Sequence, residues 1–105
     1  MTEEPTQTER ICQVVASIPA GRVSSYGRVA DLAGYPRGHR IAARVLARLP
    51  PGSRVPWHRV ITASGKLAFP KGTESFRRQS SRLREEGVIV RAGKVAMARY
   101  LWEVD

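Results

Sequence analysis

Cysteine is almost missing from this chain: Cys12 stands alone among 105 residues. A lone thiol excludes an internal disulfide, and the absence of any CxxC or Cys/His cluster argues against zinc, so neither a metal nor a cofactor is expected. Long apolar runs are missing too. None approaches the roughly 18 to 20 residues needed to cross a bilayer, so a membrane is not an expected partner. The first ten residues, MTEEPTQTER, are acidic and polar and do not lead from a basic stretch into an apolar one, so they do not read as a signal peptide. The expectation is a cytoplasmic protein, nucleoid-associated if the source is bacterial. Repeats, low-complexity tracts and linkers are also absent. With a 42% hydrophobic share, the length fits one modest core and not two. The expected organisation is a flexible N-terminus over residues 1–7, then a single domain over 8–105, acting as a monomer.

The most informative absence is of negative charge. No acidic residue occurs between Asp31 and Glu74. That interval holds Arg37, Arg40, Arg44, Arg48, Arg54, Arg59, Lys66 and Lys71, which accounts for eight of the nine net positive charges. A basic block of this kind on a folded domain is the electrostatic footprint of a polyanion. Fifteen of the 18 basic residues are arginine, which binds phosphate through two donors and stacks on bases as lysine cannot. The competing reading is a solvated surface that serves only solubility.

Periodicity places the block on structure. Ile11, Val14, Val15 and Ile18 fall at i, i+3, i+4 and i+7, predicting a first helix from Thr8, capped by Thr6 or Thr8 and stopped by Pro19. SSYGRVADLAG predicts a second helix with Ser24 or Ser25 as N-cap, Gly34 at its end, and Val29, Leu32 and Ala33 facing the core. HRIAARVLARL predicts a third, with Ile41, Val45, Leu46 and Leu49 inward and Pro50 and Pro51 ending it. Its other face aligns Arg40, Arg44 and Arg48 at four-residue spacing, where mutual repulsion costs roughly a few tenths of a kcal/mol per pair. An anion lying along the stripe removes that cost. VPWHRVITASGKLAF reads as two short strands turning at Ser64-Gly65. A fourth helix follows from Thr73, with Phe76, Ser80 and Leu83 on one face and Gly87 closing it. VIVRAGKVAMARYLW reads as a hairpin turning at Ala92-Gly93. Three helices followed by a hairpin is the order of a winged helix-turn-helix with the third helix as reader. The expected fold class is therefore mainly α: a winged helix-turn-helix DNA-binding domain with small β-hairpins.

The segment VPWHRVI, residues 55 to 61, carries the chemistry. Upstream stands GRVSSYGRVADLAGYPRGHR, and downstream REEGV closes the fourth helix. These segments resemble the DNA-binding domain of the O6-alkylguanine-DNA alkyltransferases, over roughly residues 8 to 90. That family carries G-[KR]-V-[ST]-[ST]-Y-G, an arginine fourteen residues after its tyrosine, and P-C-H-R-V seventeen beyond. Here Tyr26 precedes Arg40 by 14 residues and Arg40 precedes Trp57 by 17. The departure is at the reactive position, where the enzyme's alkyl-accepting cysteine is Trp57. Tryptophan there, a short chain and a C-terminal RYLW resemble the alkyltransferase-like proteins. The resemblance implies a protein that binds O6-alkylguanine in double-stranded DNA, flips the nucleotide out, performs no transfer, and flags the lesion to nucleotide-excision repair proteins. The chemistry of the residue agrees. Dealkylation needs a polarisable thiolate; an indole has no lone pair for the attack, yet its flat face suits an extruded alkylated base.

By resemblance, Arg40 is the finger that enters the base stack, and Tyr26 pushes on the phosphate beside the target so that the base swings out. Arg44, Arg48 and His39 read as phosphate contacts or solvated face, and Ser25 as a cap that also meets DNA. Trp57 is the expected pocket wall, in a lesion pocket with Val55, Pro56, His58, Arg59, Phe69 and Lys71. His58, with no thiol to activate, reads as structural and Arg59 as a brace. Pro70 stands where relatives often carry a base-reading arginine, and Lys71 or Phe69 is the side chain on hand to replace it. Glu86 matches the enzyme's relay glutamate and reads as helix-end structure. Two other classes compete: a winged-helix transcription regulator reading base edges, and a working alkyltransferase using Cys12.

Overall fold

Helix α1 (Gln7–Ser17) begins with Thr6, whose hydroxyl accepts from the Glu9 N–H while the Glu9 carboxylate reaches back to the Thr6 N–H. This reciprocal cap, worth about 1 kcal/mol, starts the helix inside the stretch expected to be a flexible end. The chain, seen in a computed structural model, is described over residues 4–104, so residues 1–3 of that stretch lie outside it. There follow β1 (Ser24–Ser25), α2 (Tyr26–Leu32), α3 (His39–Ala47), a 3₁₀ turn (Trp57–Arg59), β2 (Val60–Ile61), α4 (Glu74–Glu85), β3 (Val90–Arg91), β4 (Lys94–Val95) and α5 (Met97–Tyr100). The result is a mainly helical domain with two small sheets.

α1, α2 and α3 enclose one apolar cluster, with Ile11, Val15, Ile18, Val29, Ala30, Ala42 and Val45 at its centre. α2 and α3 make the most extensive contact in the fold. Ser25 caps α2 by accepting from the Arg28 N–H. Leu32 departs from the expected core face: it is 45% exposed, and Ala30 is fully buried in its stead. On a seven-residue helix the angular difference between these positions decides which one meets α1 and α3, and the smaller side chain allows the closer approach.

The segment after α3 departs further from expectation. Strand β2 pairs not with the chain after the turn but in parallel with β1, in the register Ser24↔Val60 and Ser25↔Ile61. No hairpin therefore follows α3 directly. The turn itself forms, closed by the Thr62 N–H on the Lys66 carbonyl, and Gly65 adopts φ +87°. Lys66 then bridges antiparallel to Lys94 instead of returning to β2. The physical reason lies in residues 57 to 59. A strand sends neighbouring side chains to opposite faces, whereas the adjacent His58 and Arg59 both reach Glu86, which a 3₁₀ turn allows. β2 also divides the interior: Val60 joins the helical cluster, and Ile61 joins a second one with Val23, Leu67, Leu83, Val88, Val90, Val95 and Tyr100.

Helix α4 starts at Thr73, whose hydroxyl accepts from the Phe76 N–H. β3 and β4 form the hairpin at Ala92-Gly93, both residues holding positive φ. The chain after it coils into α5 where extended structure was expected. The Val23 N–H then bonds the Tyr100 carbonyl and the Trp102 N–H the Val23 carbonyl, which fastens the C-terminal segment to the entry of β1.

Candidate nucleic-acid interface

Two polar groups, one buried and one half-buried, fix the segment that carries Trp57. Gln79 of α4 is fully buried. Its side-chain amide donates to the carbonyls of His58 and Val60 (3.3 and 2.9 Å) and its oxygen accepts from the Ala68 N–H (3.0 Å). Glu86, just past α4, gathers the rest. Its Oε2 accepts from Arg59 Nη2 at 2.6 Å and from His58 Nε2 at 2.8 Å, and its Oε1 accepts from Arg59 Nε and the Gly21 N–H. Arg59 Nη1 reaches on to the Ile18 carbonyl at 2.8 Å. The 3₁₀ turn is thus tied to the end of α1, the Gly21 loop and α4 at once.

Charge follows from that geometry. Burial alone would raise the Glu86 carboxyl, but the hydrogen bonds from Arg59, His58 and Gly21 prevail and hold it down to about 2. Burial lowers His58, against the pull of Glu86. Glu86, as a carboxylate, can only accept, so the neutral His58 carries its proton on Nε2. His58 Nδ1 and Ser24 Oγ are buried without a protein partner.

Trp57 points the other way, half-buried, into an open cavity of about 670 Å³ between α3, the 49–53 loop and α4. Its ring meets Phe69 edge-on at 5.9 Å and 86°, and His58 at 6.1 Å and 90°. Arg78 and Arg82, one turn apart on α4, place their guanidinium carbons 5.9 and 5.3 Å from the indole centroid. At that range both are attracted to the ring's negative face. Tyr26 and Leu46 also line the cavity, and burial raises the Tyr26 hydroxyl above its ordinary value. The volume is that of a site for one small planar group. Among the described residues no cysteine, histidine, carboxylate or lysine lines it; it presents an aromatic face and two cations.

The structure gathers some expected site residues and separates others. Tyr26, Trp57 and Phe69 share the cavity. Val55 packs on the helical cluster and Pro56 precedes the 3₁₀ turn, while His58 and Arg59 turn inward to Glu86. Lys71 is a correction: it lines a neighbouring cleft beyond Phe69, not the cavity with Trp57, because residues 70–72 turn away ahead of α4. Ser25 is the expected cap, its hydroxyl accepting from the Arg28 N–H, and is only 4% exposed. His39, Arg40, Arg44 and Arg48 are exposed. None of these four forms an ion pair among the described residues. On α3 the arginine stripe runs beside Ala43 and Ala47, which line the cavity, so stripe and pocket adjoin. Arg78, Arg82 and Gln79 escaped sequence reasoning. The arginines lie beyond the acid-free stretch, and only their spacing of four could have drawn notice. Gln79 stands between Phe76 and Leu83 on the buried stripe, and that polar intrusion was a readable signal.

A mainly helical scaffold, an arginine-lined helix and an adjoining pocket are the features of a DNA-binding domain. Over residues 6–88 the chain matches the family described as 6-O-methylguanine DNA methyltransferase, DNA binding domain; it belongs to that family, among its alkyltransferase-like members. It is 43% identical over 103 residues to the DNA base-flipping protein of Escherichia coli K12, covering 97% of this chain and 78% of that one. It is 33% identical over 99 residues to Alkyltransferase-like protein 1 of Schizosaccharomyces pombe, covering 90% and 92%. The structure of S. pombe Atl1 in complex with damaged DNA containing O6-carboxymethylguanine superposes with a TM-score of 0.88 at 30% identity, over 98% of this chain and all of that one. The O6-methylguanine methyltransferase of Mycobacterium tuberculosis gives 0.68 at 33% identity, over 80% of this chain and half of the enzyme. No helix among the described residues is long and apolar enough to cross a membrane.

Proposed function

We propose that this protein binds O6-alkylguanine in duplex DNA, holds the damaged nucleotide outside the helix against Trp57, transfers no alkyl group, and marks the site for nucleotide-excision repair. The observation that carries the reading is the half-buried indole in the wall of a base-sized cavity, where the related enzymes place a cysteine. Cys12 offers no substitute. It packs against the helical cluster away from the cavity, and burial raises its thiol, so the nucleophilic thiolate is disfavoured.

The roles follow from placement. Arg40, exposed in the first turn of α3, enters the stack in place of the extruded base. Tyr26, on the cavity wall at the start of α2, presses on the adjoining phosphate. Arg44, Arg48 and His39 neutralise backbone charge. Arg78 and Arg82, stacked with Trp57, keep its electron-rich face oriented and add positive potential beside the lesion. The α2–α3 pair acts as the helix-turn-helix, with β3–β4 as its wing.

The test is binding to matched duplexes with and without one O6-methylguanine, alongside incubation with DNA labelled in the methyl group. Tighter binding to the damaged duplex with no label on the protein is expected. Equal binding to both would leave a sequence-reading regulator, and protein-bound label an alkyltransferase.

A further inference from the structure

The chain contains three lysines, Lys66, Lys71 and Lys94, and all three line one cleft of about 230 Å³ with Phe69, Phe76 and Gly93. Among the described residues no carboxylate lines it. Lys66 and Lys94 are directly opposed across an antiparallel bridge, an arrangement that costs stability when the charges are alike. The third cation is fixed close by: a Cβ on Gly93 would stand 3.5 Å from Lys71 Cε and 3.1 Å from the Phe76 ring. The glycine, at φ +73°, lets the hairpin turn close onto both side chains. Packing thus brings together three charges that repel one another, and none of them has a carboxylate partner among the described residues.

The cleft is also continuous with other features. Phe69 is a wall of both this cleft and the Trp57 cavity. Lys94 extends into a further groove with Arg91 and Arg99, again without an acidic residue among the described ones. Grooves on the other faces of α4 carry Glu74 or Glu85 instead. One acid-free track therefore runs from the cavity, past one phenyl ring, onto the β3–β4 hairpin.

We propose that the lysine cleft is a second DNA contact, which takes backbone phosphate of the same duplex to one side of the pocket. It extends the footprint from α3 onto the hairpin. Phosphate is the matching chemistry, because an ammonium binds it as a point charge. Duplex DNA carries a phosphate about every 3.4 Å along each strand, so a strand leaving the pocket cannot pass Phe69 without presenting one. The inference rests on the DNA-binding reading above.

The experiment is a salt series on the wild type and on the triple variant Lys66→Gln/Lys71→Gln/Lys94→Gln, with a duplex carrying one O6-methylguanine and its undamaged counterpart. The variant should bind both duplexes roughly tenfold more weakly at low salt. Its slope of log affinity against log salt should be shallower by about 1 to 2, since each phosphate neutralised contributes about 0.9. The preference for the damaged duplex should persist, and thermal melting of the free variant should be unchanged or higher. Wild-type affinity and slope in a folded variant would overturn the proposal. So would an unchanged slope together with lost binding to polyglutamate, which would assign the cleft to an acidic protein. A wild type with no salt dependence would instead remove the DNA-binding reading beneath it.

Discussion

Arg59 and Arg40 are the same residue in opposite circumstances. Arg59 has a 17% exposed side chain, and two of its nitrogens are spent on Glu86 and a third on a backbone carbonyl. Arg40 lies on the open face of α3 and forms no ion pair among the described residues. The difference separates what holds the site from what the site offers. Charges fully committed inside the fold set the position of Trp57, and uncommitted ones outside it are left for a ligand. The two regions should therefore respond to substitution in different measurements.

The largest effect belongs to the committed region. Arg59→Ala leaves the half-buried Glu86 with only His58 and Gly21 as partners, and loss of the hydrogen bonds to this charged group costs roughly 2 to 3 kcal/mol. Melting should fall by about 10 to 20 °C; a shift of only a degree or two would mean that the Glu86 node contributes no rigidity. Acid probes the same node. The folded carboxyl titrates at about 2 against an ordinary 4.5, so its stabilisation is complete above pH 4.5 and lost as pH falls toward 2. His58, held neutral by burial, adds loss in the same direction, because below about pH 6.5 the unfolded chain takes up a proton that the fold resists. Glu86→Gln should lower stability at neutral pH and flatten the acid limb, as chemical denaturation across pH would record.

For the uncommitted region the order reverses. Arg40→Ala should leave stability within about 0.5 kcal/mol, while weakening binding to a damaged duplex by about thirtyfold, the ~2 kcal/mol typical of an interface hot spot. Equal affinity would remove the finger role and erase the contrast with Arg59. Arg82→Gln is intermediate. Its guanidinium stacks on Trp57 at 5.3 Å, an interaction of about 0.5 to 1 kcal/mol. Because that contact exists in the free protein, melting should fall by about 2 to 8 °C, with a smaller loss of lesion affinity by titration than Arg40→Ala causes.

Much of this division could be read before the structure. The motif spacing singled out Tyr26, Arg40 and Trp57, though not that Tyr26 and Trp57 share one cavity, and the helical stripes located the buried faces of α1, α3 and α4. What escaped was long-range. Nothing local tells that Val60 pairs with Ser24, because a two-residue parallel strand has no pattern of its own and is selected by the clusters on either side. Arg78 and Arg82 were hidden because α4 resumes acidic residues, which dilute its charge in any running count. Lys71 was assigned to the wrong side of Phe69 because adjacency in sequence says little about which wall of a ring a loop residue follows.

The central claim is that the Trp57 face receives the damaged base. A Trp102→Phe variant leaves Trp57 as the sole indole and so makes its emission a direct reporter. Saturation with a duplex containing O6-methylguanine should change that emission well beyond what saturation with the undamaged duplex does. Identical emission with both duplexes would place the lesion elsewhere and contradict the account.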